Sequence, residues 1–385
     1  SLSDLESRAS ARFYWRRLLR RTREIAQFIE ILNDFRQHWN ERGMSARNFA
    51  AAPLLAQLSQ RGQRVLALPS QLALGFAQSP TFPVSVGILR TWLPAHRWGF
   101  ANGVQSTGCQ LGAAAAPAVI VFLMQRFGWQ RALFWTALPA LALALAWAWY
   151  VRDRPAEHPS ISAQELAGLQ PADIPPQVAS PPALKGALPL KDIALLTASY
   201  TSMNYVFYLL GSWSFLYLVQ ERHFSVAQSG WLASLPPLAA ALGAGVGGVL
   251  LDAVCAKIGF RWGCRIVPLI SLSSVALLLL LAVYVAGPLT AVVAMTVCFG
   301  MVELNEGAYW GATMRIAGPN TMTAGGILNT GGSLGGLIGI PIVAYLSGHG
   351  QWHAAFLIGV GCALLSAVAW LGIDATGVER RGNDG

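Results

Sequence analysis

The sequence predicts an all-α polytopic membrane protein, a helix bundle with about nine transmembrane helices. Three observations carry this. Of 385 residues, 54% are hydrophobic and only 12% are charged, against about 25% charged in a soluble domain. From residue 65 onward, apolar stretches near or above the roughly 20 residues that span a bilayer core recur along the chain. The lysines and arginines between them alternate in density from loop to loop, as the positive-inside rule requires. This composition, with a mean hydropathy of +0.46, excludes a soluble enzyme, a disordered chain and a secreted disulfide scaffold. The net charge of +9 does not indicate nucleic acid. Twelve of the 27 basic residues fall between Arg8 and Arg64, and the rest sit mainly in short loops.

Residues 1–64 stand apart from the rest. They carry twelve basic and six acidic residues, and Arg16–Trp39 repeats apolar positions at a loose helical spacing (Leu18, Ile25, Ile29, Leu32, Phe35, Trp39). The segment reads as a soluble or foreign extension, with an interfacial helix on an anionic membrane face as the alternative. Next come three apolar segments, 65–89, 101–125 and 132–151. The first is interrupted by Pro69, Pro80 and Pro83, which membrane helices tolerate when neighbours satisfy the freed carbonyls. Residues 152–191 are rich in Pro, Ala and Ser and read as a flexible linker. Six further segments follow within 192–375: 192–219, 228–251, 266–286, 289–310, 323–346 and 352–373. Residues 376–385 form a polar tail.

Loop charges orient these spans. Arg90, Arg97, Arg152, Arg154, Lys185, Lys191, Lys257, Arg261, Arg265, Arg315, Arg380 and Arg381 fall on one side. Only Arg126, Arg131 and Arg222 fall on the other. The richer side is expected in the cytoplasm, together with the linker and the C-terminus.

No enzyme motif, metal-ligand cluster or cofactor loop is present, so neither catalysis nor a cofactor is expected. The run Gly243-Ala-Gly-Val-Gly-Gly248 lies inside a span with no strand before it. Small residues four apart, at Gly243/Gly247, Gly108/Gly112 and Gly332/Gly336, suit close helix packing. Cys109, Cys298 and Cys362 read as small packing residues. Cys255 and Cys264 lack zinc-like spacing.

Two acids inside the span 289–310 are different. Glu303 and Glu306, in Glu303-Leu-Asn-Glu-Gly-Ala-Tyr-Trp310, are costly in a membrane and face a cavity or partner. Three apart, they share a helical face with Trp310, a polar and aromatic stripe suited to a hydrated solute path. The alternative is a pair near a helix end, bonded to neighbouring backbone. Asn329, among the glycines of 325–336, either bonds a solute or locks two helices. Asn204, near Tyr200, Tyr205 and Tyr208, poses the same choice.

Several stretches together resemble the major facilitator superfamily, in its organic anion:cation symporter branch, over roughly residues 72–375. Gly75-Phe-Ala-Gln-Ser-Pro-Thr-Phe-Pro83 and Trp92-Leu-Pro with Arg97 resemble the family's fourth helix and the turn after it. Gly128-Trp129, Arg152-Asp-Arg-Pro-Ala-Glu-His-Pro159 and Ile161-Ser-Ala-Gln-Glu165 resemble the exit from helix six. Tyr217-Leu-Val-Gln-Glu221, Glu306-Gly-Ala-Tyr-Trp310 and Gly326-Ile-Leu-Asn-Thr-Gly-Gly332 resemble helices seven, ten and eleven.

The resemblance implies a secondary transporter for a small organic anion, such as a sugar acid, with protons as a candidate co-substrate. It further implies a multi-pass protein of the plasma membrane, the inner membrane in a bacterium. Asn204, Trp310 and Asn329 match cavity-lining positions, with Glu306 and Tyr309 adjoining. Glu303 is a candidate coupling residue. Gln78 stands where many relatives carry a coupling glutamate, and an amide cannot carry a proton in the usual range. The family has twelve helices, so nine spans leave its first three-helix repeat unmatched. The expectation is a truncated or misframed gene model that does not complete coupled transport alone. A non-transporting receptor or scaffold, or a membrane enzyme using Glu303 and Glu306, is the competing reading.

Overall fold

The computed structural model describes residues 72–152, 154–169, 188–225, 228–229 and 232–376. The basic segment 1–64, the middle of the expected linker and nearly all of the tail lie outside the described residues. The chain divides into two compact units, 1–80 and Thr81–Gly385. In the first, residues 72–78 are helical. In the second, every long element is a helix, and no strand occurs among the described residues.

In chain order these are α1 (Thr81–Trp92), α2 (Trp98–Phe127), α3 (Trp129–Tyr150), α4 (Ala163–Gly168) and α5 (Leu190–Gln220). They continue with α6 (Leu235–Ile258), α7 (Phe260–Tyr284), α8 (Pro288–Glu303), α9 (Glu306–Ala317), α10 (Thr321–Gly348) and α11 (Trp352–Gly372). Seven stretches among the described residues are long and apolar enough to cross a membrane. One of them, Pro288–Gly348, is 61 residues long and contains two expected spans, 289–310 and 323–346. The expected span 101–125 falls on α2. This 30-residue helix carries Asn102, Gln105, Ser106, Thr107 and Gln110 in its first half.

Two boundaries differ from the sequence reading. The expected span 228–251 is displaced to Leu235–Ile258 because Pro236 and Pro237 occupy the first positions of α6, where a proline's missing N–H costs nothing. Gly259, at φ 79°, then closes the helix in the left-handed conformation glycine favours. The expected linker also holds more order than a flexible tether. Ser162 and Glu165 form a reciprocal capping box at the start of α4, which satisfies donors that a helix start leaves open. The Ser162 amide bonded to Glu165 holds that carboxyl below the usual carboxylate range.

Close packing fixes the bundle. A Cβ at Gly247 would stand 2.1 Å from the Leu304 carbonyl oxygen, and one at Gly335 would stand 2.4 Å from that of Thr201. So α6 meets α8, and α5 meets α10, backbone against backbone. Two of the expected pairs are tightly packed, Gly243/Gly247 against the backbone of Gly300 and Leu304 and Gly332/Gly336 against the rings of Tyr200 and Tyr208. Gly108 and Gly112 are not: nothing lies within 4 Å of a Cβ at either, because α2 turns Gly99 and Gly103 toward α6 instead.

Candidate functional site

The site begins with a broken helix. The expected span 289–310 is two helices that meet at Leu304–Asn305. The Asn305 side-chain amide donates to the carbonyls of Met301 (2.9 Å) and Val302 (3.2 Å) and to Ser271 Oγ on α7 (3.0 Å). Such a break survives in lipid only when the freed backbone groups find partners. It leaves Glu303 as the last residue of α8 and Glu306 as the first of α9. Both are buried, at 2% and 7% exposure. They therefore flank a break rather than sharing one continuous helical face.

Glu303 and Glu306 line one cavity of about 160 Å³. Helix α2 contributes Ser106, Cys109 and Gln110, and α5 contributes Tyr200, Asn204, Phe207 and Tyr208. Phe82 of α1, with Asn329, Gly332 and Ser333 of α10, completes the wall. Neither lysine nor arginine is among the described residues that line it.

The polar contacts are unequal. Glu306 Oε2 accepts the Trp310 indole N–H at 2.8 Å and the Tyr200 hydroxyl at 3.4 Å. The Trp310 ring stacks on Phe82 with centroids 5.5 Å apart, which fixes its donor direction. Glu303 shares the cavity wall with Gln110. Asn204 donates to the Tyr200 carbonyl one turn earlier, at 2.8 Å. Ser106 is 5% exposed and borders the cavity.

The structure thus brings Asn204, Asn329, Glu303 and Glu306 together, with Trp310 directly behind Glu306. It does not bring Tyr309 to the cavity. The Tyr309 hydroxyl lies 2.7 Å from Ser199 Oγ and 2.8 Å from Ser366 Oγ and ties α9 to α5 and α11. Of the three tyrosines near Asn204, Tyr205 turns away and donates to the Ala355 carbonyl. Gln78 lies in the 72–80 stretch of the other unit. Cys109, read as a packing residue, is exposed on the cavity wall. Ser106, Gln110 and Phe82 were not singled out from sequence; the polar spacing Gln105, Ser106, Gln110 in α2 was the available signal.

Away from the cavity, toward the first turns of α2, the bundle is tied shut. Asp252 of α6 accepts the backbone N–H groups of Gly99 (3.1 Å) and Phe100 (2.7 Å). These donors are open at a helix N-terminus. Arg315 donates to the Ala95 carbonyl at 2.8 Å, with its guanidinium 3.2 Å from the centre of the Phe260 ring. The thiols of Cys255 and Cys264 are 3.8 Å apart and both free. Among the described residues no group of three His, Cys, Asp or Glu gathers as a metal site.

The sequence model of the Major Facilitator Superfamily matches residues 49–323 and 216–383. The chain belongs to this superfamily. It is accordingly a multi-pass membrane protein of all-α architecture. Among similar superfamily members is the probable sulfoacetate transporter SauU of Cupriavidus necator. It is 26% identical over 321 residues, covering 81% of this chain and 73% of that protein. The hexuronate transporter of Bacillus subtilis is 23% identical over 78% of this chain and 70% of its own length. The probable galactarate/D-glucarate transporter GarP of Escherichia coli is 23% identical over 77% and 69%. A similar solved structure is a bacterial homologue of the iron transporter ferroportin, crystallised in an outward-facing state. The TM-score is 0.54 at 15% identity, over 86% of this chain and 75% of that one, a likeness of fold alone.

Proposed function

We propose that this superfamily member is a secondary transporter of a small organic anion, working by alternating access in the plasma membrane with its C-terminus in the cytoplasm. One observation carries the reading: a polar cavity between membrane-length helices, bordered by Glu303, Glu306, Asn204 and Asn329. Lipid offers such groups no hydrogen-bond partner, so a cavity lined by them holds water or a solute. The anion class is supported by relatives named as transporters of sulfoacetate, hexuronate and galactarate or D-glucarate. Broken helices at a mid-membrane site are a recurrent device in secondary transporters, and the Leu304–Asn305 break fits that use.

The test is uptake of radiolabelled sulfoacetate, hexuronate and D-glucarate into proteoliposomes, with binding measured alongside as protection of Cys109 from a maleimide. Saturable, gradient-driven uptake of one of them supports the proposal. Protection without uptake supports the binding site and overturns the transport step. Neither protection nor uptake across the panel overturns the reading.

A further inference from the structure

At the end of the bundle where Asp252 and Arg315 make their ties, two thiols face each other. Cys255 of α6 and Cys264 of α7 are free, with their sulfurs 3.8 Å apart. They are 3% and 2% exposed. Each lies about one helical turn from Gly259, the left-handed residue that joins the two helices. The approach is close because position 263 lacks a side chain. A Cβ at Gly263 would stand 2.6 Å from the Cys255 sulfur and 2.8 Å from its Cα.

The sulfur of Cys298, by contrast, faces the Val275 carbonyl at 3.7 Å. Any small apolar side chain would serve for packing at such a position. A second thiol in contact adds a reaction that packing does not need. The thiolate is the reacting form of cysteine, and positive surroundings favour it. Lys257, Arg261 and Arg265 all lie within a turn or two of the same junction, the first two exposed.

We propose that Cys255 and Cys264 are a redox-responsive dithiol, which hydrogen peroxide joins as a disulfide that stiffens this end of the bundle. In the first step one thiolate attacks a peroxide oxygen. The S–O bond forms, the O–O bond breaks, and the departing hydroxide takes up a proton to become water. In the second step the other thiolate attacks the sulfenic sulfur, the S–S bond forms, and the S–O bond breaks with loss of a second hydroxide as water. Two thiols and one peroxide thus give one disulfide and two waters. The sulfurs lose two electrons, the peroxide oxygens gain them, and the two thiol protons end on the waters. Bringing the sulfurs from 3.8 Å to the roughly 2.05 Å of a disulfide is within reach of side-chain rotation. In the orientation proposed above this end lies in the cytoplasm, where thiols are kept reduced and disulfides are transient. The dithiol is then the resting state and the disulfide the response.

The position of the pair gives the bond its consequence. Cys255 lies one turn beyond Asp252, which accepts the Gly99 and Phe100 amides at the head of α2. Helix α7 begins at Phe260, whose ring carries the Arg315 guanidinium. Both ties therefore rest on the junction of α6 and α7, and a covalent bond across that junction stiffens them together.

The test uses the full chain in lipid nanodiscs, carrying Cys109→Ser and Cys362→Ser. After treatment with equimolar hydrogen peroxide, the chain is unfolded, alkylated and digested. Mass spectrometry should find Cys298 alkylated and Cys255 joined to Cys264, lighter by two hydrogens and restored by dithiothreitol. Hydrogen exchange in peptides covering residues 98–102 should slow about threefold or more on oxidation, and recover on reduction. In Cys255→Ser, peroxide should leave that exchange unchanged; Cys264→Ala gives the same comparison should the serine disturb folding. Cys255 and Cys264 both alkylated after peroxide, or a disulfide that leaves the exchange at 98–102 unaltered, overturns the inference. Neither readout involves an anion, so the transport reading stands or falls on its own test.

Discussion

Trp310 donates its indole N–H to Glu306 at 2.8 Å from one turn further along α9, while its ring lies against Phe82 of α1. One side chain thus joins the orientation of a cavity carboxylate to the packing of another helix. Trp310→Phe keeps an aromatic ring against Phe82 and removes the donor together with the indole's second ring. A hydrogen bond to a charged group contributes about 1.5–3 kcal/mol, so uptake or probe binding should weaken roughly tenfold or more. Size-exclusion profiles should stay unchanged. Wild-type affinity in Trp310→Phe would show that the bond does not serve the site.

Tyr309 makes the opposite prediction. Its hydroxyl serves Ser199 and Ser366 in a buried knot between α9, α5 and α11. Tyr309→Phe should cost about 1–3 kcal/mol of stability, read as a lowered Tm in detergent. The affinity for the transported anion should not move. A changed affinity at unchanged Tm would place the hydroxyl at the site after all.

Cys109 is the described cysteine exposed on the cavity wall; Cys255, Cys264 and Cys298 are buried. A positively charged methanethiosulfonate should modify it faster than a negatively charged one, by about tenfold at low salt, because like-signed walls concentrate counter-ions in a cleft. The preference should fall in Glu303→Gln/Glu306→Gln. Equal rates for the two reagents would refute the negative field.

Gly247 and Gly112 separate packing from mere composition. Gly247→Ala drives a methyl into the Leu304 carbonyl, and overpacking of this kind costs typically about 1–3 kcal/mol. Gly112→Ala meets open space and should leave stability unchanged or raise it by up to about 1 kcal/mol, through helix propensity. Thermal unfolding of the two variants decides the matter. Equal losses would contradict the α6–α8 contact.

Asp252→Asn removes the charge that closes the start of α2. Caps and dipole contacts of this kind contribute about 0.5–2 kcal/mol. A Tm fall of that order is expected, with the labelling rate of Cys109 as a second readout. An unchanged Tm would show that the Gly99 and Phe100 amides find other partners.

The all-α membrane architecture was legible in the sequence, and so was the unusual burial of the two acids, because charge in an apolar span has few benign uses. The break between them was less legible, although Asn305 was visible. A side-chain amide that competes for backbone carbonyls is a reason for a helix to end. Tyr309 and Trp310 are adjacent in sequence, yet a helical step of about 100° sends one to the serines and the other to Glu306. Spacing alone does not decide which of two neighbours faces a cavity. Likewise the roles of Ser106 and Gln110 depend on the register of α2 against α5 and α8, which tertiary packing sets. Gly108 and Gly112 show the converse: a spacing suited to close packing, with no described helix packed against it.

The cap of α2 by Asp252 also bears on biosynthesis. Donor and acceptor are 153 and 152 positions apart in the chain. At about 5–20 residues per second, the ribosome needs roughly 8 to 30 s to make Asp252 after Gly99 and Phe100 have left its active site. During that interval the amides at the head of α2 must be served by water, headgroups or the insertion machinery. A ribosome stalled between these points would leave α2 in the membrane with its first amides still without the carboxylate that serves them in the finished bundle.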